Sequence, residues 1–155
     1  MAKPLFEVST DILVPFYDVD SMEIVWHGNY VKYFEDARCK MLQELDYNYA
    51  TMRDSGYGWP VVDMRIKYIK PALFNHRIRV HARLVEWEIR LKLEYEIVDL
   101  ETGETLTKGY SVQVAVDMAA GEMCFVTPAP FRERLAARLG LTESGLASAG
   151  STESR

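Results

Sequence analysis

What the chain has little of narrows it first. Its 155 residues hold only two cysteines, Cys39 and Cys124, far apart in sequence. Neither has a cysteine or histidine partner at the few-residue spacing of a zinc site, so no metal centre is expected and both read as buried or half-buried free thiols. Positive charge is in deficit: 18 basic side chains face 23 acidic ones, a net of −5. A general grip on nucleic acid is thereby disfavoured. No apolar run approaches the roughly 18 residues of a membrane-spanning helix, so no membrane partner is expected. Met1-Ala2-Lys3-Pro4 precedes neither an apolar stretch nor a small-residue cleavage site, which makes the cytoplasm the expected compartment. There are no internal repeats and no interdomain linker. The length suits one domain with a sizeable core.

Hydrophobic periodicity supplies the elements. Phe6 to Phe16 is rich in β-formers and reads as a strand. After the turn residues Asp18-Val19-Asp20-Ser21, the residues Tyr30, Tyr33, Phe34, Ala37, Met41, Leu42 and Leu45 recur at helical spacing. They predict one long helix from about Gly28 to Leu45, with Gly28 or Asn29 as its cap. Beyond Asp54-Ser55-Gly56-Tyr57-Gly58 the pattern turns to strands. Val61 to Ile69 ends at Lys70-Pro71, and Ile78, Val80, Ala82 and Leu84 alternate with Arg77, Arg79, His81 and Arg83. Leu91 to Ile97 repeats that alternation, Glu101-Thr102-Gly103-Glu104 reads as a hairpin turn, and strands through Val112 to Val116 and Met123 to Val126 follow. A short helix between Pro128 and Gly140 closes a domain of residues 1–139. The Ser-, Gly- and Ala-rich residues 140–155 are expected to be disordered. Tight turns between strands require an antiparallel sheet, and only the long helix can cover it. The expectation is an α+β domain, a curved antiparallel sheet of five to six strands wrapped around one helix. Its open sheet edges call for a second copy.

Chemistry concentrates between Asp20 and Tyr30. This stretch joins a strand to a helix start and carries Asp18, Asp20, Glu23 and His27. A carboxylate can activate water as a general base or attack an acyl carbon itself. A helix N-terminus offers unpaired N–H groups to a developing oxyanion. One loop thus holds the two requirements of acyl transfer, although acidic loops before helices are common.

The order Asp20, His27, Asn29-Tyr30 and then Val31-Lys32-Tyr33-Phe34-Glu35-Asp36-Ala37-Arg38 resembles the 4-hydroxybenzoyl-CoA thioesterase family, nearest to its acyl-CoA thioesterase branch with a histidine at this point. Tyr68-Ile69-Lys70-Pro71-Ala72 resembles that family's strand ending in Pro-Ala, and the likeness spans about residues 8–131. The resemblance implies a hotdog fold, a homodimer or homotetramer with active sites at the interface, and no cofactor. It implies hydrolysis of an acyl-CoA or acyl-carrier-protein thioester, with Asp20 as nucleophile or general base and the backbone N–H near His27 polarising the carbonyl. Where the family has a small, glycine-containing stretch, this chain has Ser21-Met22-Glu23, which bears on the acyl pocket and the substrate class.

Plainer roles stand beside these. Asp20 can cap its own turn, and Asp18 reads as a turn residue. His27 can cap the helix or pack on Trp26. Gly28 can be a plain cap or admit close approach by a substrate, and Tyr30 can line a substrate pocket or belong to the core. Glu35 and Arg38 can simply pair, and the arginines of the Arg77–Arg83 strand can meet either coenzyme A phosphates or Glu94 and Glu96. Two other functions suit such a fold: a hydroxyacyl-thioester dehydratase, whose His-Phe-Pro-Gly type of segment is absent, and a non-catalytic acyl-binding protein, which would have no use for Asp20.

Overall fold

The computed structural model describes residues 4–153. Strand β1 (Phe6–Leu13) leads through a single 3-10 turn, Phe16–Asp18, into the loop of interest. A second 3-10 turn, His27–Asn29, opens helix α1 (Tyr30–Glu44). Helix α2 (Tyr49–Asp54) and strand β2 (Tyr57–Gly58) come next. The long strands β3 (Val61–Tyr68), β4 (Arg77–Glu86), β5 (Leu91–Asp99) and β6 (Thr105–Gln113) follow. Strands β7 (Val116–Asp117) and β8 (Glu122–Met123) and helices α3 (Ala129–Leu139) and α4 (Glu143–Glu153) complete the chain. Five strands pair antiparallel in the order β1-β4-β5-β6-β3, and β2, β7 and β8 make a second, small sheet.

The alternation in sequence translates directly into layers. Ile78, Val80, Ala82 and Leu84 of β4 are fully buried, while Arg79, His81 and Arg83 between them face outward. In β5, Leu91, Leu93, Tyr95 and Ile97 take the inner face. Helix α1 turns Tyr30, Tyr33, Phe34, Ala37, Met41 and Leu42 toward that face. Phe34 stacks flat on Tyr95 with ring centroids 4.3 Å apart. Gly109 of β6 is what lets the helix lie so close: a Cβ there would overlap the Arg65 carbonyl oxygen and the Phe34 ring. Gly109→Val should therefore destabilise the fold by about 1–3 kcal/mol through overpacking, read as a lower urea midpoint. An unchanged midpoint would show that the sheet and helix can separate there at no cost.

At three places the structure adds to or departs from the expectations. Helix α1 begins at Tyr30, and the Asn29 side chain does not cap it. Its amide instead donates to the Asp18 carbonyl at 2.8 Å, because the 3-10 turn before the helix places it beside β1's exit. The Glu35–Arg38 pair is only a 3.9 Å contact. Arg38 is buried, donating to the hydroxyls of Tyr49 and Tyr95 at 3.3 Å each. Finally, the segment after Gly140 carries helix α4. Thr142 Oγ1 accepts the Gly145 N–H at 3.0 Å and so caps its start, and Leu146 is fully buried in the core. The cap, the buried leucine and a 3.9 Å contact between Glu143 and Arg132 hold this stretch of small residues against α3 and the core.

The β5–β6 hairpin is tied to the start of β4 by a polar cluster. His76 Nδ1 lies 3.0 Å from Asp99 Oδ2 and 3.0 Å from Glu101 Oε2. The hydrogen bond with Asp99 raises the His76 pKa above its ordinary value. For Asp99, burial is the largest influence and acts to raise the pKa, but the His76 contact and the backbone N–H groups of Glu101 and Thr102 together outweigh it, and the net direction is down. The histidine's contribution to stability is present below its unfolded pKa and lost as pH rises through the higher folded value; that of Asp99 is present above its unfolded pKa and lost as pH falls through the lower folded value. His76→Gln should therefore lower the melting temperature at pH 5 more than at pH 9. An equal loss at both would show that the cluster does not depend on the histidine's charge.

Candidate active site

The loop from Asp18 to Asn29 is held at both ends by backbone bonds. Val19 bridges Val25, with Asp20 N–H donating to the Ile24 carbonyl at 2.8 Å and Glu23 N–H to the Asp20 carbonyl at 3.0 Å. The tight turn between them puts Glu23 at φ 62°, a left-handed conformation that costs a non-glycine residue some strain. The segment Ala72–Phe74 clamps the turn from outside: Val25 N–H donates to the Ala72 carbonyl and Phe74 N–H to the Glu23 carbonyl.

Asp20 sits in the turn, exposed. Its Oδ1 accepts the Met22 N–H at 2.8 Å and, more weakly, the Ile24 N–H at 3.4 Å. The capping role expected of an aspartate is thus filled. It leaves Oδ2 without a protein partner among the described residues, on a carboxylate whose orientation its own loop fixes.

At the far end, His27 and Gly28 open the helix. No acceptor among the described residues takes either N–H; the first bond of the turn is Asn29 N–H to the Trp26 carbonyl, 2.9 Å. The His27 carbonyl accepts the Tyr68 hydroxyl at 2.6 Å, and its exposed imidazole rests against the Trp26 ring, 4.9 Å between centroids. The indole lies over Gly28, where a Cβ would overlap its far edge and the exposed Trp26 side chain would have to move aside. Tyr30 belongs to the core: it is 2% exposed, and its hydroxyl accepts the Ala72 N–H at 3.1 Å. Its ring meets Tyr68 edge-on. Instead of offering a polar group to solvent, Tyr30 ties the clamp segment and Tyr68 to the helix start.

Asp18, expected to be a simple turn residue, turns out to anchor the loop. It is 4% exposed, with Oδ1 2.7 Å from Lys32 Nζ and Oδ2 accepting the Tyr33 hydroxyl at 2.7 Å. Its carbonyl takes Trp26 N–H at 3.0 Å besides the Asn29 amide. Burial, reinforced by the bond to Asp18, raises the Tyr33 pKa, so that hydroxyl stays protonated as a donor. A cleft of about 230 Å³ opens beside Asp18, with Lys32, Tyr33 and Asp36 on its wall. Only one trio of metal-ligand type comes together among the described residues, His76, Asp99 and Glu101, and there one imidazole nitrogen already lies against both carboxylates.

The overall fold recurs in known proteins. The profile of the thioesterase-like superfamily matches residues 14–143. The chain belongs to that superfamily. Its fold is accordingly the hotdog fold. A Bacillus subtilis protein named "Putative acyl-CoA thioesterase YneP" is 31% identical over 108 residues, which cover 69% of this chain and 78% of that one. The solved structure of a DHNA-CoA thioesterase from Staphylococcus aureus is 27% identical with a TM-score of 0.70, over 77% of this chain and 80% of the other. Slr0204, a 1,4-dihydroxy-2-naphthoyl-CoA thioesterase from Synechocystis, shares the fold at 17% identity, with a TM-score of 0.76 over 84% of this chain and 96% of that one. Among the described residues no helix is long and apolar enough to cross a membrane.

Proposed function

We infer that this member of the superfamily hydrolyses acyl thioesters, taking acyl-CoA or acyl-carrier-protein substrates, with Asp20 as nucleophile or general base. The observation that carries the reading is the pairing within one clamped loop of a half-free carboxylate, Asp20 Oδ2, with two open N–H groups, those of His27 and Gly28. Acyl transfer needs a group that attacks or activates water and a donor pair aimed at the oxyanion. The names of the relatives support the same reaction class, and the Asp20…His27 spacing supports a place in the 4-hydroxybenzoyl-CoA branch. The test is release of free thiol from a panel of acyl-coenzyme A and acyl-carrier-protein thioesters. A folded protein that releases none from any of them would end the hydrolase reading.

The working form in this proposal is a homodimer or homotetramer. Asp20, His27 and Trp26 are exposed on the single protomer, and β3 is an uncovered edge: Val61 and Val62 are exposed, and Met64 and Ile66 are only half-buried. An apolar edge strand beside an open site is a template for a second copy. Light scattering at micromolar concentration should give at least twice the chain mass of 17.8 kDa. A monomer that still turns over substrate would sink the shared site.

A further inference from the structure

Tyr68 closes strand β3 with about half of its surface exposed, yet its hydroxyl is committed to one atom of the candidate site. It donates to the His27 carbonyl oxygen at 2.6 Å, across 41 residues of sequence. Elements outside the loop place that donor. The N–H groups of Ile69 and Lys70 both reach the Leu106 carbonyl, at 2.9 and 3.0 Å, and pin the strand end against β6. The Tyr68 ring meets Tyr30 edge-on with 5.1 Å between centroids, and the Tyr30 hydroxyl is in turn held by the Ala72 N–H. Partial burial raises the Tyr68 pKa above the ordinary tyrosine value, so the hydroxyl remains a donor at neutral pH. Water can satisfy an exposed carbonyl with little loss of stability. The value of this bond therefore lies in where it aims a peptide group more than in holding the fold.

The His27 carbonyl and the Gly28 N–H are the two ends of one planar trans peptide group. Fixing the oxygen therefore fixes the direction of the N–H on the opposite side. A hydrogen bond accepted at the oxygen also polarises the group and strengthens its N–H as a donor. The other open N–H, that of His27, belongs to the Trp26–His27 peptide, whose carbonyl accepts the Asn29 N–H at 2.9 Å. Both open donors thus sit on peptide groups whose carbonyls are engaged. The turn engages one, and a side chain from a distant strand engages the other. We propose that Tyr68 is a positioning residue for acyl transfer, aiming and strengthening the Gly28 N–H toward the oxyanion through its bond to the His27 carbonyl. This role deepens the hydrolase reading and rests on it.

Tyr68→Phe removes the hydroxyl and keeps the ring against Tyr30. It should lower kcat for thioester hydrolysis roughly tenfold with KM little changed, a smaller loss than the about 10²–10³ of removing an oxyanion donor outright. Tyr110→Phe, which removes a hydroxyl bonded to Asp63 at 3.3 Å on the other face of the sheet, should leave both constants alone. The amide nitrogen resonance of Gly28 supplies a second readout that needs no substrate, because it responds to a hydrogen bond on the carbonyl of its own peptide group. In Tyr68→Phe it should shift, and by more than that of His27. Wild-type turnover in Tyr68→Phe overturns the role, whether or not the resonance moves. A raised KM at unchanged kcat overturns it too, by making Tyr68 a substrate contact. A Gly28 resonance that stays in place means the bond is not made in solution, and the role falls whatever the kinetics show. Each of these leaves the hydrolase reading standing as long as wild-type protein releases thiol. A wild type that hydrolyses no thioester ends that reading and this role with it, even where the resonance moves as expected.

Discussion

Asp20→Asn is expected to lower kcat for thioester hydrolysis by roughly 10²–10⁴, the range for losing a positioned base, while substrate still binds. The structure makes this substitution unusually clean. Asp20 Oδ1 holds the turn by accepting the Met22 N–H, and the asparagine carbonyl oxygen can accept the same bond. The turn, the strained Glu23 and the Ala72–Phe74 clamp are therefore retained, while the charge and the basic lone pair at Oδ2 are lost. Asp20→Ala would confound the two by releasing the loop. The measurement is kcat and KM of the asparagine variant beside its melting temperature. Near-normal turnover in a folded protein would mean that Asp20 is a turn cap and nothing more.

The fold was legible where burial is periodic. The alternation in β4 and β5 and the stripe on α1 set the layers, because each sits on an element with one buried face. The short elements were not legible. Helix α2 spans Tyr49–Asp54 and strand β2 two residues, too few for any period to emerge. Helix α4 hides in small residues, where the buried Leu146 and the Thr142 cap make no periodic pattern. In the site, the residue types in the loop pointed to acyl chemistry, but their individual roles depend on contacts distant in sequence. Asp18 and Asp20 are two positions apart and equivalent by composition. What separates them is that Asp18 turns inward to Lys32 and Tyr33 while Asp20 turns back on its own loop. Tyr30 was equally ambiguous, since a helical stripe does not say whether a tyrosine hydroxyl meets a ligand or, as here, the Ala72 N–H. The cations of β4 could have served phosphates or carboxylates. Only the strand register, which brings Glu7, Asp11 and Glu96 beside them, decides that Arg79 and Arg83 are neutralised.

The second large effect is expected from a proline. If the backbone N–H of residue 27 polarises the thioester carbonyl, His27→Pro should lower kcat by about 10²–10³, the cost of removing one oxyanion donor. His27→Ala keeps that N–H and should lose only about 10- to 100-fold, through the missing imidazole and its contact with Trp26. The site tolerates proline for reasons visible in its backbone. Position 27 is the first residue of the turn that opens the helix, where proline is favoured. Trp26 lies at φ −59° and ψ 134°, the extended conformation that a following proline requires. No bond within the described residues uses the His27 N–H, so proline removes none, and its carbonyl remains for the Tyr68 hydroxyl. The extra loss of proline over alanine therefore reports the N–H alone. It should fall on kcat, with little change in KM, because an oxyanion donor acts mainly in the transition state. A proline variant no worse than alanine would exclude the N–H of residue 27 as the donor. An alanine variant as damaged as Asp20→Asn would make the imidazole itself the essential group.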